Sequence, residues 1–232
     1  MKKLLAVLFA TLVLTGCANQ KLTPEHRSQI KTVKILPATW NPKQMTYMGR
    51  EQAWGMALGA GVGAGIGAAA GASNLTKAAL GGAGFAAGLK AGDLASMSTV
   101  EAIIYQMETE KIDLGTLVTQ GVIDQLAQNP SIRLVGEQDQ ADAVIQLKID
   151  QWGFALTQGF SSVVYPTIAV LAQMTRGDEK VWQHVEVITA FNGANVYGYT
   201  PLEYRTEPEK LREALTGISK IVSRSLADDF KQ

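Results

Sequence analysis

Few side chains in this 232-residue sequence are suited to covalent or acid–base chemistry. There is one cysteine, Cys17, and there are two histidines, His26 and His184. A protein metal site needs three or four nitrogen, sulfur or oxygen ligands at short spacing. Neither histidine has such a partner nearby, so no metal is expected. His184 alternates with Val185 on a strand pattern and is expected to face solvent beside Glu186. Neither the Gly-x-Ser-x-Gly nucleophile elbow nor His-Glu-x-x-His is found in the sequence. Glu101, Glu108, Glu110, Asp113 and Asp124 are the remaining candidates for proton transfer, and their setting reads as solvated helix faces. No catalytic residue and no cofactor is expected, and the chain reads as a non-enzyme. Trp152 and Trp182 are expected to pack on a sheet; the other use of such residues is as interface anchors.

Cys17 has a more specific setting. Lys2 and Lys3 open the chain, and Leu4 to Leu14 is an apolar run too short to span a bilayer. Leu14-Thr15-Gly16-Cys17 follows, an apolar residue and two small ones before the cysteine. This resembles the bacterial lipoprotein processing signal, in which residues 1–16 are removed and the cysteine becomes an acylated N-terminus. The resemblance implies that Cys17 is the lipidation site and that membrane lipid is a partner through it. Two or more acyl chains give stable anchoring at about 0.8 kcal/mol per buried methylene. No thiol would remain for a disulfide. Ala18, in place of an aspartate retention mark, implies the outer membrane with the domain facing the periplasm.

Residues 17–30 are polar and read as a tether. Residues 31–52 hold a first strand, Lys31 to Ala38, closed by Pro37, and then an irregular connection. Residues 53–92 are rich in glycine and alanine. On a helix, residues four apart are neighbours, and Gly55, Gly59, Gly63, Gly67 and Gly71 form one such row. Two adjacent rows are also almost wholly glycine and alanine. Gly84, Gly88 and Gly92 repeat the device beyond Ser73-Asn74-Leu75-Thr76-Lys77, a polar turn. Such faces let two backbones approach closely. In water, seven glycines between Trp54 and Ala72 would cost a lone helix about 6–7 kcal/mol of propensity. A helical hairpin that packs on itself, on another copy or in a membrane is expected. It resembles the glycine-zipper segments of bacterial envelope proteins. A flexible or soluble packed insertion is the plainer alternative. Strings such as Gly59-Ala60-Gly61-Val62-Gly63-Ala64 lack the strand and the acidic residue of a dinucleotide fingerprint, so no nucleotide is expected.

Residues 93–232 read as the rest of an α/β (α+β) domain. Apolar residues at Leu114, Leu117, Val118, Val122 and Leu126 predict a helix from Asp113 to Gln128, stopped by Asn129-Pro130. Ile132 to Val135 reads as a short strand. Ala141 to Trp152 alternates, with Ile145, Leu147 and Ile149 on one face. Thr167 to Met174 and Lys180 to Ile188 read as a hairpin around Gly177. A last helix is expected from Pro208, with Thr206 as N-cap and Glu209 closing a capping box. The fold expected is a mixed sheet of about four to five strands with packed helices. Lysine plus arginine and aspartate plus glutamate number 21 each, so nothing in the charge points to nucleic acid.

Several stretches carry a further resemblance: KTVKILPA, LGTLVTQGVIDQLAQNPSIRLV, ADAVIQLKIDQWG and TIAVLAQMTRGDEKVWQ. Their order is similar to that in periplasmic α/β domains of outer-membrane lipoproteins, of the curli-secretion-channel type and the activators of peptidoglycan synthases. That likeness implies a domain for assembly and binding, with no catalytic residue to carry over. It is expected to belong to a homo-oligomer or to an envelope complex for secretion or transport. The alternative is a periplasmic module that activates a peptidoglycan-synthesising enzyme.

Overall fold

The computed structural model describes residues 19–49, 97–157 and 161–231. Strand β1 (Thr32–Ile35) is flanked by two parallel neighbours, β3 (Arg133–Val135) and β4 (Ala143–Leu156). Further along the same edge of β4 runs β2 (Met45–Met48), also parallel. On the other edge, β4 pairs antiparallel with β5 (Val164–Arg176), and β5 with β6 (Glu179–Ile188). The sheet has six strands in a mixed arrangement. It is slightly larger than the four to five strands expected, and it is an α/β fold as expected.

The extra strand is β2, which falls where the sequence reads as an irregular connection. Four residues are too few to display a period of two. Their extended form is fixed by pairing with Trp152 to Ala155, far away in sequence.

Strand β5 shows why the sheet has one core face. Val164, Pro166, Ile168, Val170, Ala172 and Met174 are buried. The alternating Tyr165, Thr167, Ala169, Leu171 and Gln173 are only half-buried, as the two-residue side-chain period requires. Among the described residues, five helices accompany the sheet: α1 (Pro24–Gln29), α2 (Thr99–Thr109), α3 (Leu114–Leu126), α4 (Pro201–Thr206) and α5 (Pro208–Asp228). Helix α5 lies on β5 and β6 and packs along α3. Leu211, Leu215, Ile218, Val222 and Leu226 supply its apolar stripe to the core, the 3.6-residue spacing of an amphipathic helix.

Two capping boxes set helix starts. Ser98 and Glu101 cap α2, and Thr200 and Glu203 cap α4. Thr206 is not the N-cap of the last helix. It is the final residue of α4, and its hydroxyl donates to the Leu202 carbonyl. Glu207 occupies the N-cap of α5 without a side-chain hydrogen bond. The sequence offers two Thr-x-x-Glu boxes in succession, and only the earlier one forms.

The stretch expected as a tether is folded from Asn19 onward. Gln20 pairs with Gln183 through hydrogen bonds of 2.8 and 3.0 Å, Leu22 and Ile30 are buried, and α1 lies between them. Two apolar residues in a polar stretch give no periodic signal, yet burying each such side chain contributes roughly 1.5–3 kcal/mol. Cys17 and all of 53–92 lie outside the described residues. Among the described residues, no helix is long and apolar enough to cross a membrane.

Candidate functional site

The densest polar cluster lies where β6 meets the end of α5. Cross-strand register puts Trp182, His184 and Glu186 on the helix-covered face, opposite Met174, Ala172 and Val170. The last turn of α5 brings Ser225 and Asp229 to them. Asp229 Oδ2 accepts from Trp182 Nε1 at 2.9 Å and lies 2.7 Å from His184 Nδ1. Glu186 Oε2 sits 3.2 Å from His184 Nε2 and accepts from Ser225 Oγ. The His184 side chain is 14% exposed. It therefore does not face solvent. Its strand parity points it inward, and a carboxylate meets each ring nitrogen.

This arrangement is a clasp. The serine hydroxyl is spent on Glu186 and makes no bond to the imidazole, so the serine–histidine pairing of a nucleophilic triad is not made here. Phe230 packs against Trp182 with ring centroids 4.9 Å apart, and Arg27 Nη2 donates to the Asp229 carbonyl. The chain end, β6 and α1 are thereby tied together.

Beside the clasp, Leu22, Arg27, Ile30, Lys31, Met174 and Phe230 line a cleft of about 390 Å³. Arg27 Nη1 is buried there without a hydrogen-bond partner. The acidic residues singled out from the sequence do not converge. Glu101 and Asp113 cap α2 and α3, and Asp113 also accepts from Trp40 Nε1. Asp124 accepts from Gln120. Glu108 and Asp113 both border a separate surface cleft near Trp40, which Glu101 and Asp124 do not line. Among the described residues, no group of three or more histidine, cysteine, aspartate or glutamate side chains is arranged to hold a metal ion. His26 lies 3.5 Å from Glu179 at the surface. Trp152 and Trp182 are both almost fully buried.

Asp142 has a structural use that the Ala141-Asp142 pair at the head of β4 did not reveal. Its Oδ2 accepts from the Lys31 and Thr32 amides and from Thr32 Oγ1, all at 2.8–2.9 Å. These donors hold its carboxyl below the ordinary carboxylate range. The pair fixes β1 in register on β4.

The second feature of functional interest is the distribution of charge. From Gln151 to Thr175 and from Val187 to Leu202 the sequence has no charged residue. The two runs meet in the fold, because the end of β4, the start of β5 and the end of β6 lie side by side. Tyr199 in the 189–199 connection bridges to Val164, and β2 ends beside Ala155. At this end Met48, Val187, Phe191, Val196 and Leu202 are exposed, and charge reaches it from the helices: Glu203 and Arg205 lie on α4, and Lys210 of α5 sits 4.4 Å over the Tyr199 ring. The opposite end bears Lys31, Arg133, Asp142, Arg176, Asp178 and Glu179.

No family model matches the chain, and no curated protein matches it. Three solved structures are distantly similar. One is a Xanthomonas campestris protein of the DUF330 family, with a TM-score of 0.35 and 11% identity over 48% of this chain and 57% of that one. A hypothetical protein from Chlamydia trachomatis gives a TM-score of 0.36 and 8% identity over 87% of this chain and 98% of that one. A candidate lipoprotein from Caulobacter crescentus gives 0.30 and 13% over 50% and 81%. Likenesses this distant carry no function across. The chain spans little more than half of the Xanthomonas protein.

Proposed function

We propose that this chain is a lipid-anchored protein of the bacterial cell envelope, facing the periplasm from the outer membrane, with a structural or assembly role rather than a catalytic one. The observation that carries the reading is that the chain is already paired to the sheet at Asn19 and Gln20. Asn19 accepts from the Val185 amide at 2.8 Å and Gln20 is paired to Gln183. Cys17 stands two residues before Asn19, in the sequence setting of an acylated cysteine. Two residues extend no more than about 7 Å, so an acyl group on Cys17 holds the domain directly at a bilayer.

The glycine-rich segment enters after β2 and rejoins the domain at α2. Its rows of Gly55 to Gly71 and Gly84 to Gly92 supply the self-associating or membrane-associating element, and the assembly served is a secretion or transport complex. Crosslinking the lipidated protein in detergent tests this. Oligomeric species are expected for the native chain and lost when Gly59→Leu and Gly63→Leu are combined. A strict monomer in both cases contradicts the assembly role.

The half-buried outer row of β5, from Tyr165 to Gln173, supports a second reading as a binding module that activates a peptidoglycan-synthesising enzyme. In that case deletion of 53–92 leaves the activity intact.

A further inference from the structure

We propose that the cleft between α1 and the chain end is a binding site for a small aliphatic carboxylate, with Arg27 as the residue that holds the anion. The proposal goes beyond the anchored reading above and does not depend on it.

The electrostatics of the cleft select the charge of the ligand. Arg27 and Lys31 are its charged lining residues, and no aspartate or glutamate lines it. Neither side chain makes an ion pair among the described residues. The carboxylates of the residues bonded to them are already committed. Asp142 accepts from the Lys31 and Thr32 amides and from Thr32 Oγ1. Asp229 gives its carboxylate to Trp182 and His184, and offers Arg27 only its backbone carbonyl. The cleft near Trp40 differs on this point, because Glu108 and Asp113 stand there beside Lys111.

The guanidinium of Arg27 is half used. Its Nη2 donates to the Asp229 carbonyl at 3.1 Å, while Nη1 is buried and has no hydrogen-bond partner. A buried N–H without an acceptor is costly, and more so when it is charged. An oxygen that accepts from Nη1 removes that cost. Nη1 sits beneath the cleft surface, and a turn of the long arginine side chain presents it to the ligand. With Nη2 occupied, the planar fork cannot grip two oxygens at once, which is how arginine best recognises phosphate. One carboxylate oxygen on Nη1, with the exposed Lys31 as a second cation, matches what remains.

The walls select the rest of the molecule. Leu22, Ile30, Met174 and Phe230 line the cleft and are each at most 6% exposed. Its volume of about 390 Å³ is that of a small-molecule pocket, in which apolar walls supply affinity and a few polar groups fix orientation. A carboxylate joined to a short aliphatic chain meets both parts.

The test follows the Met174 methyl signal in the full lipidated chain, held in maltoside micelles and isotope-labelled at its methionine methyls, with Met174→Leu assigning the signal. Hexanoate at neutral pH is expected to shift it saturably. Acetate lacks the body and hexanol lacks the charge, and each is expected to need about tenfold more, or about 1.4 kcal/mol. Arg27→Gln is expected to raise the hexanoate midpoint about tenfold, the worth of one charge-assisted hydrogen bond, and Arg27→Lys by less. Lys31→Glu, at an exposed position, is expected to raise it about fivefold, and it decides the matter where Arg27→Gln loosens the chain end. Absence of a saturable Met174 shift overturns the proposal. Hexanol binding as tightly as hexanoate makes the cleft a plain apolar cavity and overturns it too. Inorganic phosphate binding more tightly than hexanoate assigns the site to another anion, with the same result. Unchanged hexanoate binding in both Arg27→Gln and Lys31→Glu removes Arg27 from the site and likewise overturns it. None of these outcomes bears on the crosslinking test of the assembly role.

Discussion

Asp229 is the residue whose removal should be felt furthest from its position. One carboxylate oxygen serves both the Trp182 indole and the His184 imidazole, and the backbone of the same residue receives Arg27. In Asp229→Ala the buried Trp182 N–H loses its acceptor, a loss of about 1–3 kcal/mol. The urea midpoint is expected to fall accordingly, and the Trp182 emission should change in the native state. Gly153 makes a different kind of demand. A Cβ there would lie 1.8 Å from the Thr46 carbonyl oxygen, backbone against backbone, so β2 must leave β4 to admit it. Gly153→Ala is expected to cost about 2 kcal/mol or more, again read from the urea midpoint. Neither role was visible in the sequence. Asp229 meets His184 only because α5 ends over β6, and Gly153 lies just past the strand expected from Ala141 to Trp152, in the part of β4 that the alternation does not reach. The sequence did expose the side-chain alternation of Ile145, Leu147 and Ile149, because adjacent residues carry that information together.

At the level of elements, helix starts and helix contacts give separable predictions. Thr200 caps α4 with its hydroxyl, and Glu203 returns the bond to the Thr200 amide. Thr200→Ala is expected to cost about 1 kcal/mol. Thr206→Ala, which removes only a bond back to Leu202, should stay within about 0.5 kcal/mol. Equal effects in thermal or urea unfolding would contradict the assignment of the cap. Between α3 and α5, a Cβ on Gly121 would come within 2.4 Å of Ser223 Oγ. Gly121→Val should cost about 1–3 kcal/mol by overpacking, and Ser223→Ala should recover part of that in the double variant. Long periodic elements such as α3, α5 and β4 were legible because ten or more residues repeat one pattern. The four residues of β2, the six of α4 and α1 were not, since each is held by partners far away in the chain. The competing capping box at Thr206 shows the limit: the helix starts at Pro208 as expected, but Thr206 ends α4 and Glu207 stands at the N-cap.

For the molecule as a whole, the pH range of stability follows from which groups the fold perturbs. The Asp142 and Glu203 carboxyls are held low by backbone N–H donors. Their contribution is present above the ordinary carboxylate value near pH 4 and is lost as pH falls through their lowered values. Tyr199 is pushed up to about 12, chiefly by burial and then by its bond to Glu213, and burial raises Tyr204 as well. Their contribution is complete below the ordinary tyrosine value of about 10 and is lost as pH rises above it. A plateau of stability between about pH 5 and 9 is therefore expected, with losses on both sides. A maximum confined to one edge of that range would contradict it. Two uncharged runs, 151–175 and 187–202, stand apart in the sequence. Only the pairing of β4, β5 and β6 shows that they form one surface.

The claim on which the rest depends is that the folded domain hangs from Cys17. The most direct measurement is the mass of the N-terminal peptide of the protein isolated from cell envelopes. The account predicts a peptide that begins at Cys17 and carries the added mass of a diacylglycerol thioether and an N-linked acyl chain. A mature chain that begins elsewhere, or an unmodified Cys17 thiol, would contradict it.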